Sequence, residues 1–254
     1  MPFLIFPRII IINLFNILSM KKIIILITLI AFCAIPISAE SDNVVYLSFD
    51  DGPNHIGTDK ILEILEKYDI KATFFIIGDL AEKYPDKVRA INDAGHIIGC
   101  HTCTHNYQEL YSSAEKFIND LYEWENIVSD ILCTELPVKL FRFPGGSKSK
   151  MLNNCIRNEL ISSLNAEGYK IFDWTITNND ALVMKNMKNV EEYIKQTFIQ
   201  SLTHIEKVPS APKIILMHDI KKHTADTLEW TIEYLINCGY TFDTLDKLPQ
   251  SYVY

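Results

Sequence analysis

A chain of 254 residues that is 48% hydrophobic can bury one substantial core, and one catalytic domain is the natural count. The formal charge is −8, and residues 1–39 carry only basic groups, Arg8, Lys21 and Lys22, so the remainder is more acidic still. An acidic body without a basic block argues against nucleic acid as a partner and leaves the N-terminal segment as the only expected route to a membrane.

Two apolar runs, residues 3–18 and 23–37, open the chain around Met20-Lys21-Lys22. The second reads as a secretory signal, with a positive start, an apolar stretch, then Ile37-Ser38-Ala39 before Glu40. Met20 is an alternative start. An uncleaved anchor is the competing reading of residues 1–39, because a run of this length approaches a membrane span. Phe32 before Cys33 speaks against a lipoprotein.

From residue 44 onward, short β-rich runs alternate with amphipathic helical stretches. Residues 44–49 predict a strand that runs into Ser48-Phe49-Asp50-Asp51-Gly52-Pro53, and Ile61, Leu62, Leu65 and Tyr68 recur at helical spacing. A strand over 72–77 and a helix over 81–94 follow. Residues 96–99 then lead into His101-Thr102-Cys103-Thr104-His105. A long helix is expected over 114–132, and a short strand ends at Phe141 and Arg142, opening Arg142-Phe143-Pro144-Gly145-Gly146. A helix over 156–166 precedes an extended run, 170–173, that ends at Asp173-Trp174. Residues 182–189 read as a surface connection, 190–205 as a helix, 214–218 as an apolar strand ending at His218, and 228–238 as the last long helix. Gly95, Gly168 and Gly239 each follow a helix, where a left-handed C-cap favours glycine. Repeated alternation of this kind implies an α/β fold with a parallel sheet, either a barrel or a wound sheet.

Each polar motif follows a strand. In a barrel all strand C-termini open on one face, so five motifs scattered along the chain converge in one cleft. Two adjacent acids plus a His-x3-His pair supply the two-nitrogen, one-carboxylate set that leaves a divalent metal open to water. One aspartate remains as a base and a later histidine as an acid, the combination that acetyl hydrolysis requires. His96, behind Gly95, reads as structural. With Cys33 set aside the cysteines are odd in number, so a complete disulfide framework is excluded. Cys100 and Cys103 lack the loop between ligand pairs that a structural zinc site needs. Cys133, Cys155 and Cys238 are expected as small buried hydrophobes on or beside helices.

In this order the five motifs resemble the polysaccharide deacetylase family, the carbohydrate esterases that share the NodB homology domain. The similarity spans residues 44–248, and Gly239-Tyr240-Thr241-Phe242 fits the family's closing strand. The resemblance implies a distorted (β/α) barrel and a metal-dependent hydrolase that removes N-acetyl groups from N-acetylglucosamine units of a cell-wall polysaccharide, peptidoglycan first. Chitooligosaccharide deacetylation and O-acetyl xylan esterase activity are the alternatives; a catalytically inactive sugar-binding protein on the same fold is a rival from another class. The resemblance also implies Asp51, His101 and His105 as ligands of a divalent metal, Zn²⁺ foremost. Asp50 would be the general base with Arg142 orienting it, and His218 the general acid. Asp173 would pair with that imidazole to keep it charged, Trp174 would wall the pocket, and the Gly145 N–H would receive the oxyanion. An exported or membrane-attached monomer acting on an N-acetylated polysaccharide is expected. Two departures fall on the sugar subsite. Many members carry Arg-Pro-Pro-Tyr-Gly where this chain has Arg142-Phe143-Pro144-Gly145-Gly146, and Cys103 stands where an aromatic is common.

Overall fold

Short, continuously apolar strands need cover on both faces, and here they form one parallel sheet with helices outside. The computed structural model describes residues 43–253, so the signal or anchor reading of residues 1–39 lies outside it. No helix among the described residues is long and apolar enough to cross a membrane. The strands are β1 (Val44–Asp50), β2 (Thr73–Ile76), β3 (Ile97–Cys100), β4 (Leu140–Phe141), β5 (Lys170–Ile171), β6 (Ile176–Thr177), β7 (Lys213–His218) and β8 (Thr241–Asp243). Their order is β5-β4-β3-β2-β1-β7-β6, and the sheet curves into a half-barrel. The edge of β1 that carries β8 at Val44–Tyr46 is taken over by β2 at Ser48–Asp50. Between β1 and β7 the register sets Asp50 level with His218.

Around the sheet lie α1 (Gly57–Lys67), α2 (Gly78–Lys83), α3 (Pro85–Asp93), the single turn α4 (Tyr107–Leu110), α5 (Ala114–Leu132), α6 (Asn154–Ala166), α7 (Val190–Ile205) and α8 (Lys222–Asn237). The helices expected over 114–132 and 190–205 have those bounds. The one expected over 81–94 is two, because Pro85 has no N–H to continue the first and starts the second at its N-terminal turn. Helix α8 begins six residues before the expected start. Its inner face there is carried by buried Thr224 and Thr227, whose hydroxyls hide the apolar period.

Strand alternation decides what enters the site. Phe141 and Phe143 pack into the outer core with Phe117, ring centroids 5.0–5.7 Å apart. Such pairs add about 0.5–1.5 kcal/mol each beyond their buried area. Arg142 between them is thereby turned to the opposite face. On β1, Leu47 and Phe49 belong to the same core, while Ser48 and Asp50 alternate to the face Arg142 reaches. One correction concerns the cysteines: Cys133, Cys155 and Cys238 are exposed, because each lies on the outer side or at the end of its helix. Cys100 and Cys103 are buried and free.

Candidate active site

At the mouth of the half-barrel, Asp51 projects toward two imidazoles. Its Oδ1 lies 3.4 Å from His101 Nε2 and 3.3 Å from His105 Nε2. Candidate ligand atoms of the three residues all fall within 4.8 Å of one another. His101 Nδ1 sits 2.9 Å from the Arg142 carbonyl, an acceptor only, so Nδ1 donates there and Nε2 is the nitrogen turned toward Asp51. Burial, then neighbouring His101, holds His105 below the ordinary imidazole range, which also favours the neutral ligand form. Burial, the largest single influence, would raise the Asp51 pKa, but the neighbouring imidazoles of His101, His218 and His105 together outweigh it, and the carboxyl lies well below the usual range. The donor set therefore fits a divalent cation with nitrogen and oxygen ligands.

The backbone of this group is held in uncommon conformations. Asp51, Thr102 and His105 have φ of 75°, 71° and 54° in the left-handed region, which costs non-glycine residues energy. Asp120 on α5 holds the His-x3-His loop from behind. Its carboxylate accepts from the Cys103 N–H at 2.6 Å, the Thr104 N–H at 3.0 Å and the Thr104 hydroxyl at 2.8 Å. The Asp50-Asp51-Gly52 turn rests on Asp219, and a Cβ on Gly52 would lie 2.0 Å from Asp219 Oδ2. Only glycine leaves room there. Asp219 is fully buried, accepts from Thr58 at 2.6 Å, and is pushed by burial up to about 7.

Asp50 faces the same mouth from the end of β1. Arg142 Nη1 donates to its Oδ1 at 2.8 Å and to Ser48 Oγ at 2.7 Å, while Nε donates to the Phe172 carbonyl at 2.9 Å. The guanidinium also stacks on Phe75, 4.2 Å from its centroid. A fully buried guanidinium tethered on so many sides fixes the carboxylate it holds.

The partner of His218 differs from the expected one. Asp180 Oδ1 lies 2.7 Å from His218 Nδ1, and Oδ2 accepts from the His218 N–H at 2.7 Å and from Thr224 at 2.5 Å. Burial alone would depress the imidazole; Asp180, with Asp50 and Asp51 behind it, instead raises it to about 9. Asp173 holds a turn instead: it accepts from the Ser147 N–H at 2.9 Å and the Ser147 hydroxyl at 2.5 Å. Two-residue β6 comes between Asp173 and His218 in the chain and delivers Asp180, not Asp173, to the edge of β7. Trp174 lies half-buried over the Gly145–Gly146 turn, 3.0 Å from where a Gly146 Cβ would be. His96 is buried, and its Nδ1 accepts from the Ala72 N–H at 3.2 Å, a structural position.

Fold and site together put the chain among metal-dependent hydrolases of carbohydrate. Residues 38–159 match the family model described as polysaccharide deacetylase. A peptidoglycan-N-acetylglucosamine deacetylase of Bacillus cereus is 34% identical over 200 residues, 79% of this chain and 68% of that protein. The catalytic domain of a peptidoglycan N-acetylglucosamine deacetylase from Eubacterium rectale superposes with a TM-score of 0.73 at 28% identity, covering 85% of this chain and 94% of that one. A polysaccharide deacetylase from Bacillus cereus does so with a TM-score of 0.66 at 30% identity, covering 83% and 96%. The chain belongs to the polysaccharide deacetylase family.

Proposed function

We propose that this chain removes N-acetyl groups from N-acetylglucosamine units of peptidoglycan outside the cell, using Zn²⁺ held by Asp51, His101 and His105. Two imidazoles and one carboxylate suit Zn²⁺, which when bound lowers the pKa of water and polarises a carbonyl. Asp50 takes the proton from the water that attacks the acetamide carbon, held in line by Arg142. The resulting oxyanion is received by the Gly145 N–H. His218, kept charged by Asp180, gives its proton to the departing sugar nitrogen, so acetate and a free amine leave. Two differently treated acid–base groups at one mouth carry this reading: an ion-paired Asp50, and His218 raised to about 9. The relatives' peptidoglycan activity supports the substrate, and the signal pattern of residues 20–39 supports export.

Acetate release from purified peptidoglycan, from an N-acetylglucosamine tetramer and from acetylated xylan, measured with zinc content, tests this. Peptidoglycan should be the fastest substrate. Asp50→Asn should keep zinc and lose on the order of 10²-fold or more in kcat. Acetate from xylan alone overturns the substrate; an Asp50→Asn protein as active as the parent overturns the mechanism.

A further inference from the structure

The third motif ends in two glycines whose missing side chains are replaced by rings from elsewhere. A Cβ on Gly145 would meet Tyr107 at 3.2 Å from Cε1 and 3.3 Å from Oη, just as Gly146 is overlain by Trp174. Tyr107 opens α4, two residues after His105, and meets the His105 ring edge-on with centroids 5.1 Å apart. Behind it, Tyr111 contacts the Tyr107 ring at 6.0 Å and donates to the Pro144 carbonyl at 2.9 Å, tying α4 to the third motif. Tyr107 is thus wedged between a metal-site imidazole and the Gly145 turn, yet only half-buried. A Cβ at 145 would press on that ring and on Ser149 Oγ at 3.3 Å, whereas glycine leaves the ring its place.

We propose that Tyr107 is a substrate-contacting residue, which supplies from the loop after β3 the aromatic surface that position 145 lacks. The sugar bearing the acetamide then lies between the Tyr107 and Trp174 rings, with its acyl carbon toward Asp50 and His218. Sugars present apolar C–H faces that pack on aromatic rings and hydroxyls that pair with a phenol, so this ring pair selects a pyranose over a bare acyl group. The inference rests on the deacetylase reading above.

Tyr107→Ala and Tyr107→Phe, zinc-loaded, are compared with the parent on the N-acetylglucosamine tetramer and on 4-nitrophenyl acetate, which has no sugar. For Tyr107→Ala, KM for the tetramer should rise about tenfold, with a much smaller loss on the ester and zinc still bound. Tyr107→Phe, which keeps the ring, should recover most of that loss. Equal losses on both substrates, or a zinc-depleted variant, would make Tyr107 a mere support for His105 and overturn the proposal. An unaltered KM for the tetramer overturns it as well, while the parent's activity leaves the deacetylase reading standing. A parent that releases no acetate from any sugar fails the deacetylase reading itself and takes this one with it.

Discussion

Imidazoles approach Asp51 from two sides, and the outer nitrogens of His101 and His218 end on different acceptors. On one side His101 Nδ1 faces the Arg142 carbonyl; on the other His218 Nδ1 faces the Asp180 carboxylate. A carbonyl fixes the ring's orientation and adds no charge, so nothing on the outer side favours a second proton. A carboxylate fixes the orientation in the same way and adds a negative charge, so the ring holds a proton on both nitrogens. The difference shows in direction: His105, beside His101, is held low by burial, while His218 is raised to about 9 although burial opposes it. In the proposed mechanism one side holds the cation and the other delivers the proton.

Removing the ligand side should have the largest effect. His101→Ala or His105→Ala should lose most bound zinc and on the order of 10³-fold or more of the activity, measured by metal analysis beside acetate release. Melting curves should show the half-barrel still folded. A variant that retained the parent's zinc would mean that the two sides do not differ in this way.

The proton side should respond in pH rather than in metal. In the parent, His218 is charged below about 9, so its proton is available at neutral pH and lost as pH rises through that value. Asp180→Asn removes the group that opposes burial, so the imidazole pKa falls and the alkaline limb of the kcat profile moves to lower pH. At neutral pH the loss should be on the order of 10²-fold. Asp173→Asn should leave the limb in place, because that carboxylate accepts from Ser147 while Asp180 holds the imidazole. A limb moved by Asp173→Asn and not by Asp180→Asn would restore the expected partner.

That partner marks where sequence stopped being legible. Asp50, Asp51, His101, His105, Arg142 and His218 each end or follow a strand whose apolar run announces it, so their convergence followed from the parallel fold. Asp173 sits in the same kind of position, after β5, and was the natural choice. Asp180 follows β6, whose two residues cannot display a period; the only signal was the turn-forming Asn178-Asn179-Asp180. Tyr107 was hidden for another reason. Its significance depends on an empty Cβ position at Gly145, 38 residues away, and spacing along a chain does not report what fills a gap.

The smallest effect expected is on the ligand side, at one remove from the ligands. Thr102 and His105 have left-handed backbones, and between them the Cys103 and Thr104 N–H groups both end on Asp120. Those bonds hold the loop that sets the distance between the two imidazoles. Asp120→Asn turns one acceptor oxygen into an NH₂ that cannot accept, so one of these N–H groups loses its partner. Charge-assisted bonds of this kind contribute about 1.5–3 kcal/mol each. Part of the loss is absorbed by relaxation of the loop, which leaves an expected weakening of zinc binding of about tenfold, or 1.4 kcal/mol. Competition with a chelator of known affinity reads this directly, and excess Zn²⁺ should restore activity with the alkaline limb still near 9. A shifted limb with unaltered zinc affinity would mean that Asp120 acts on the proton side, against the separation the geometry draws.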